Sequence, residues 1–424
     1  MNSTTSFAEV DQAAQLLRGP QANGKRFAGK RVAMVTFSAY PNDPRPRRAI
    51  DALLSEGATV DLICVTGEGA PPPHTPEGVK VLRVGISNPR RGKLQYGVRY
   101  GAFILICSLV FGIRGLFRRY DLVYVHNMPD ILVLCSLLPK ALGAKVVLDL
   151  HDPMPELMKT IFRVPDESAS VRLLKRIEKW SIGRADLAVT VNIACQRIFS
   201  SRSCQAEKIA VVMNSPDGKI FPFRVAKAQP GAGSDDSKPF VIMYHGSLVE
   251  RNGLDVAIDA LALVQKRIPQ AELRIFGHRT AFLDQLLAEV QKRNLEGKIQ
   301  YLGARRLEDL VNEIENCNLG VIPNHKNAFT EINTPTRLFE YLALGKPVVA
   351  PTTSGILDYF SEESLLFFEP GNSTDLARKI EYAAFHPREL FEIARKGQEV
   401  YMQHTWERER EILLNRLGEV LNAR

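Results

Sequence analysis

Thirteen short runs of apolar, β-favouring residues, separated by stretches with helical spacing, constrain this chain more than any other feature. A strand that feeds a helix and then a further strand on the same sheet gives parallel sheets with helices packed on their faces. In the first half the runs are 31–37, 60–65, 79–84, 122–126, 145–150, 187–191 and 209–213. In the second they are 241–245, 273–276, 299–302, 319–323, 347–350 and 365–368. Between the two sets, residues 227–238 are rich in Gly, Pro, Ser and Asp and read as a linker. With 424 residues the chain is long enough for two such domains, each with a substantial core. The expected architecture is α/β, two Rossmann-like doubly wound domains facing a central cleft, with ligands beyond the carboxyl ends of the strands. The expected boundaries are a loose leader at 1–29, an N-terminal domain at 30–226, the linker at 227–238, a C-terminal domain at 239–403 and a closing helix at 404–424.

The charge is unevenly placed. Residues 1–230 hold 32 Lys/Arg against 19 Asp/Glu, whereas residues 231–424 hold 23 against 28. The two domains therefore face different partners, and nucleic acid or an anionic membrane surface suits the basic half. Residues 101–113 are apolar, and the pattern resumes after Arg114 as far as Phe117, which is short of the roughly 20 residues a span needs. Arg90, Arg91, Lys93 and Arg99 precede it, and Arg118 and Arg119 follow. The segment reads as a helix lying in the headgroup region or as one buried against the sheet, and the two coexist if one end is exposed. Six cysteines without metal-ligand spacing, mostly in apolar runs, indicate reduced thiols in a cytosolic protein.

Residues 334–351 carry the strongest functional signal. Thr334 suits an N-cap, Pro335 a first helical position, and Gly345 a stop after three turns. A helix opening there aims free N–H groups and the positive end of its dipole at an anion, and Arg337 adds charge. Glu340, three residues on, shares its face. The set can hold a nucleotide diphosphate and its ribose, or be a capped helix with a surface ion pair. The segment 241–255 is a strand, a turn at His245-Gly246 and a helix start after Arg251, a second site of the same kind. Two cations bracketing a crevice suit a diphosphate leaving group.

Polar groups also end strands of the first half. His151, Asp152 and Glu156 follow the run at 145–150, and His126-Asn127-Met128-Pro129-Asp130 ends its neighbour. The loop after the first strand, with Tyr40, Asp43 and Arg45, is stiff, basic and polar. No Gly-x-x-x-x-Gly-Lys-Ser/Thr loop and no Gly-x-Gly-x-x-Gly after the first strand are present, which counts against P-loop nucleotidases and dinucleotide oxidoreductases. No spacing of His, Cys and carboxylates suggests a metal.

Taken in order, these segments resemble the retaining GT-B glycosyltransferases of family 4 over about residues 30–415. The carrying elements are Asp43-Pro44-Arg45-x-Arg47-Arg48, His151-Asp152, Arg184-Ala185-Asp186-Leu187 and Met213-Asn214-Ser215-Pro216-Asp217. They continue with His245-Gly246, the run from Leu338 to Val349 around Glu340 and Gly345-Lys346-Pro347, and Thr405-Trp406-Glu407-Arg408. The last is similar to a closing helix that crosses back onto the N-terminal domain.

The resemblance implies a C-terminal domain that binds a nucleotide sugar, commonly a UDP-sugar, and an N-terminal domain that binds the acceptor. Glu340 would take the ribose hydroxyls. Arg251, Gly246, Arg337 and the backbone at Thr334 and Pro335 would take the diphosphate, and His151 would contact the donor sugar. His151, Arg251 and Arg337 are thus the catalytic candidates, and Tyr40, Asp43, Arg45, His126, Asp152 and Glu156 the acceptor-side ones. Transfer with retention would need neither metal nor cofactor, the nucleotide sugar being the substrate. The expected acceptor is a lipid-linked oligosaccharide or an envelope or exopolysaccharide. The expected location is the cytoplasmic face of an anionic membrane, held peripherally, with no nucleic-acid partner. Departures are Ile332 where the family has the first of two paired glutamates (Glu331 is one step off), Ser247 and Asn252 at the usual Arg and Lys of the Gly246 turn, and Ala39-Tyr40 for a glycine pair. The alternatives are a sugar-nucleotide epimerase of the same architecture and a non-catalytic nucleotide-sugar-binding subunit.

Overall fold

Each of the thirteen apolar runs is a strand, with ends within two residues of those expected from the sequence. The computed structural model describes residues 25–67, 75–86, 93–228, 231 and 238–423. The expected leader up to residue 24, Arg90, Arg91 and most of the 227–238 stretch lie outside the described residues. Seven strands form one parallel sheet: β1 (Arg31–Ala39), β2 (Thr59–Val65), β3 (Val79–Val84), β4 (Leu122–His126), β5 (Lys145–Leu150), β6 (Leu187–Thr190) and β7 (Ile209–Val211). Their spatial order is β3-β2-β1-β4-β5-β6-β7. A second parallel sheet holds β8 (Phe240–His245), β9 (Ala271–Phe276), β10 (Ile299–Tyr301), β11 (Leu319–Val321), β12 (Val348–Pro351) and β13 (Leu366–Phe368), in the order β10-β9-β8-β11-β12-β13. Both are doubly wound, and the order reverses between β1 and β4 and between β8 and β11, where such sheets bind ligands. β4 and β8 are buried along their whole length. Helices on both faces explain why these strands read as unbroken apolar runs rather than alternating ones.

The chain divides into two compact units, Arg18–Met213 with Glu409–Arg424, and the segment Asn214–Arg408. The passage at Met213/Asn214 comes before the 227–238 stretch. By residue 224 the backbone already belongs to the C-terminal unit, since Arg224 N–H bonds Ala343 O at 2.8 Å and Ala226 N–H bonds the buried Gln398 side chain at 2.8 Å. From Glu409 on, the closing helix Trp406–Asn422 belongs to the N-terminal unit. There Glu409 Oε2 accepts from Met213 N at 2.7 Å, Arg410 pairs with Glu56 at 3.0 Å, and Leu413, Leu414 and Leu417 are buried. None of the six cysteines forms a disulfide, and five of them are buried.

The helix Lys93–Phe117 is longer than the apolar segment alone suggests. Phe103, Cys107 and Phe111, four residues apart, are fully buried; Phe37 packs on Phe103 with ring centroids 5.0 Å apart, and Tyr120 on Phe111 at 5.8 Å. The opposite face carries Val98, Leu105, Leu109, Ile113, Leu116 and Phe117, each more than half exposed. One face is thus buried and the other open along the helix, rather than one end being exposed. Its Gly97–Phe117 part, 21 residues holding an 18-residue window of mean hydropathy 1.9, is long and apolar enough to cross a membrane. Its buried face instead fixes it to the N-terminal unit.

Candidate active site

In the C-terminal unit the site is built where the sheet order reverses, from the ends of β8 and β11 and the helix Thr336–Ala343. Gly246 follows β8 with φ +125°, a conformation other residues adopt only with strain, and a Cβ there would stand 3.1 Å from Arg337 Nη1. The glycine is what lets the guanidinium lie against the strand end. Arg337 Nη2 donates to Asn324 Oδ1 at 2.6 Å, and its guanidinium carbon is 5.0 Å from the centre of the Tyr244 ring. Its Nε is buried without a hydrogen-bond partner among the described residues. Gly253, at φ +68°, lets the helix Leu254–Val264 begin against the 323–325 loop, where a Cβ would stand 2.0 Å from Pro323 O. His325 N–H then bonds Arg251 O at 3.2 Å, and its Nε2 reaches Asp255 at 2.9 Å.

Arg251 faces the Phe329 ring at 5.8 Å and has no ion pair among the described residues. Both Arg251 and Arg337 act on the Tyr244 phenol. Burial raises its pKa, and Arg337, Asn252 and then Arg251 work against that rise. Two cations therefore act on one strand end, neither with an ion pair among the described residues. Glu340, one turn after Arg337, holds Oε2 2.6 Å from His245 Nε2.

Three expectations change here. The helix begins at Thr336, with Pro335 in extended conformation as its N-cap and no side-chain cap. The Thr334 hydroxyl instead donates to Gly355 O at 2.6 Å. With Pro335 extended at the cap position and the Thr334 hydroxyl engaged by Gly355, Thr334 does not cap the helix. Pro335 has no N–H to offer. Since Leu338 N–H bonds Pro335 O at 3.0 Å, the donors left without intrahelical acceptors are those of Thr336 and Arg337. The helix is eight residues long rather than three turns, although Gly345 at φ +70° does terminate it. Ile332 is 7% exposed, so no carboxylate stands at that position. The Glu331 carboxylate is engaged elsewhere, accepting from Ser354 N at 3.2 Å and lying 3.4 Å from Lys326 Nζ.

In the N-terminal unit three expected residues gather around one that sequence reasoning passed over, Asp149. β4 pairs with β5 in a register that sets His126 beside Asp149, which is 1% exposed. Arg45 Nε lies 2.8 and 3.0 Å from the two Asp149 oxygens and Nη2 2.8 Å from Oδ1, while Nη1 donates to Val212 O at 3.1 Å. The Tyr124 hydroxyl donates to Asp149 Oδ2 at 3.0 Å. Burial alone would raise the Asp149 pKa, but Arg45, then His126 and His151, outweigh it and hold it below the usual carboxylate range. Burial likewise opposes the Arg45 charge, and Asp149 overcomes it.

His126 is fully buried with neither ring nitrogen hydrogen-bonded, and burial, against the pull of Asp149, lowers its pKa to about 4. His126, Asp149 and His151 bring ligand-type atoms within 4.8 Å of one another, a grouping invisible in sequence spacing because it depends on strand order. A cation there would share its carboxylate with the Arg45 guanidinium, so the donor set does not suit a metal.

His151 is fixed through its backbone. Asn127 Oδ1 accepts from His151 N at 3.2 Å, and Asn127 Nδ2 donates to Asp152 O at 2.7 Å and to Asp130 Oδ1 at 3.0 Å. The other candidates hold structural positions. Asp43 caps the helix Pro44–Ser55 by accepting from Arg45 N at 3.1 Å. Glu156 forks onto Arg202 at 2.8 and 2.9 Å, and Tyr40 is 6% exposed with its pKa raised by burial. Besides Asp149, Asn127, Asn324 and His245 are residues that sequence reasoning left without a role; the signal was their place at or within three residues of a strand end.

Residues 43–215 match the family described as glycosyl transferase 4-like domain, and residues 227–398 that described as glycosyl transferases group 1. The chain belongs to the GT-B glycosyltransferases of the family 4 type. Among relatives of this family 4-like chain, the probable glycosyltransferase WbjE of Pseudomonas aeruginosa is 23% identical over 244 residues, 56% of this chain and 59% of that protein. The putative colanic acid biosynthesis glycosyltransferase WcaL of Escherichia coli is 25% identical over 213 residues, half of each chain. The chain thus matches between about half and three-fifths of the length of these relatives. Among solved structures, Anabaena HepE in complex with UDP and glucose superposes with a TM-score of 0.67 at 19% identity, covering 92% of this chain and all of that one.

The lowered His126 pKa predicts a pH dependence. The unfolded chain takes up a proton near the ordinary histidine value while the folded one stays neutral down to about pH 4, so stability is full at high pH and falls as pH drops through this window. Between pH 6.5 and 4.5 the loss should be roughly 2 kcal/mol. His126→Phe, which keeps a ring on Tyr124, should flatten that slope in urea unfolding; an unchanged slope would remove His126 as its origin.

Proposed function

We propose that this protein transfers a sugar from a nucleotide-sugar donor, with a UDP-sugar favoured, to a lipid-linked oligosaccharide or an envelope or exopolysaccharide acceptor. The observation that carries the reading is the convergence of Arg337 and Arg251 on the end of β8, with Glu340 one turn beyond. A diphosphate fits two guanidiniums lacking a carboxylate partner, and a ribose diol fits a carboxylate that accepts two hydroxyls. HepE, solved with UDP and glucose, and WcaL, a putative colanic acid biosynthesis glycosyltransferase, support donor and acceptor class respectively.

On this reading the charge that develops on the departing diphosphate is neutralised by Arg251 and Arg337, with the N–H groups of Thr336 and Arg337 adding to it. The acceptor hydroxyl attacks on the face from which the diphosphate leaves, and a departing phosphate oxygen takes its proton. The anomeric configuration is thereby retained without a protein nucleophile, a metal or a further cofactor. His151 takes the donor sugar. The buried Ile332 supports a second reading, in which the protein binds a nucleotide sugar without transferring it.

The reading places the protein peripherally on the cytoplasmic face of an anionic membrane. Its support is the open apolar face of the Lys93–Phe117 helix together with the exposed Arg118 and Arg119 that follow it.

Glu340→Ala and Arg251→Ala should each weaken UDP-glucose binding by roughly 1.5–3 kcal/mol, about tenfold or more, in titration calorimetry. Unchanged affinity in both would refute the donor site. Labelled nucleotide sugars incubated with membrane lipid extracts should give a labelled lipid-linked product in the presence of EDTA, whereas binding without transfer would select the second reading. Replacing Arg114, Arg118 and Arg119 together with Ser should reduce flotation with phosphatidylglycerol vesicles, at about 1 kcal/mol per residue near the surface. Equal flotation of variant and parent would count against the membrane placement.

A further inference from the structure

A short hydrogen-bond chain links β8 to the helix Thr336–Ala343, and its proton positions are fixed from one end. Tyr341 Oη lies 2.7 Å from the Met243 carbonyl oxygen. A carbonyl only accepts, so the single phenolic proton lies between these two oxygens. The same Oη is 2.9 Å from His245 Nδ1 and, with its proton directed at Met243, can only accept there. Nδ1 is therefore the N–H. Across the ring, Nε2 is 2.6 Å from Glu340 Oε2. A neutral imidazole has one N–H, already placed on Nδ1, and a bare Nε2 would set its lone pair against a carboxylate at hydrogen-bond distance. The His245–Glu340 pair consequently holds one proton more than a neutral ring and a carboxylate.

We propose that His245 is a positioning residue in its imidazolium form, which holds Glu340 as an aimed carboxylate and adds a third positive charge beside Arg337 and Arg251. The role assigned to Glu340 rests on the nucleotide-sugar reading above; the proton count does not. His245 is 4% exposed, so water does not replace the missing donor. The His245 ring contacts Glu340 and Tyr341 on the facing helix, and Cys317, Arg337, Glu340 and Tyr244 are the charged and titratable groups that act on the Tyr341 phenol of the same chain of contacts. Burial, ahead of Cys317, holds the Tyr341 phenol well above its usual range, so Tyr341 keeps its proton throughout. Loss of the shared proton would oppose two acceptors and release Glu340 from its aim. Donor affinity therefore depends on that proton being held.

Two measurements test this on the full chain. In nitrogen-15 histidine spectra at pH 7.0, with His245→Gln for assignment, both ring nitrogens of His245 should be protonated; one protonated nitrogen with a protonated Glu340 or a bare Nε2 overturns the imidazolium. UDP-glucose, whose diphosphate does not titrate in the range, is then followed by calorimetry from pH 6.0 to 8.5. The parent should lose affinity, by about tenfold, wherever in this range the spectra show the ring proton gone. His245→Gln, whose amide can still donate to Glu340 without charge, should bind about tenfold more weakly at pH 6.0 and show no pH dependence. Tyr341→Phe keeps the ring but frees Nδ1 from donating, so a neutral imidazole can serve Glu340 through Nε2 and affinity should persist at pH 8.5. A loss as steep as the parent's in Tyr341→Phe overturns the chain. Absence of UDP-glucose binding by the parent at every pH overturns the UDP-sugar reading instead, and the spectra still decide the protonation of His245.

Discussion

Within each sheet all strands run parallel, and that single constraint arranges almost everything else. Parallel strands deliver their carboxyl ends to one edge, and the helices that follow begin there with N–H groups and positive dipole ends exposed. At the reversal of strand order, adjacent helices pack on opposite faces and leave the edge uncovered. In the C-terminal unit that edge collects His245, Gly246, Asn324, Arg337 and Glu340; in the N-terminal unit it collects Arg45, His126, Asp149 and His151.

The two edges balance charge differently. Around Asp149 the buried carboxylate is met by Arg45 at three contacts and by Tyr124, and removing either ionic partner would strand a charge away from water. Around β8, among the described residues, two guanidiniums stand without such a partner, and Arg337 keeps a buried Nε unsatisfied. The Arg45–Asp149 ion pair ties strand ends and loops together, whereas cations without a carboxylate partner are suited to an anion. Where the site does hold a carboxylate, at Glu340, a histidine meets it and ties it to the Met243 backbone through Tyr341.

Much of this was legible in the chain, and the exceptions share a cause. The strands could be read because burial on both faces leaves a continuous apolar signature. Gly345 could be read as a helix stop because only a residue free at positive φ ends a helix in that way. Thr334 looked like a cap from its neighbours, but its hydroxyl is taken by Gly355, whose approach no local pattern announces. Glu156 looked like a strand-end acid and is engaged by Arg202, 46 residues later in the chain. Asp149 sits inside a strand among apolar neighbours and gains its importance only from Arg45 and from the register of β4 on β5.

The sequence by itself determined the two doubly wound sheets, the position of each strand and the presence of Arg251, Arg337 and Glu340 near strand ends, because these follow from local periodicity and from residue chemistry. The tertiary structure decided which polar groups are paired and which are left open. It made Asp149 the centre of one cluster, engaged Glu331 with Ser354 rather than with the site, and directed the protons of Tyr341 and His245. Pairing depends on contacts between residues far apart in the chain and on the loss of water around them, and neither quantity exists until the strands have chosen their neighbours.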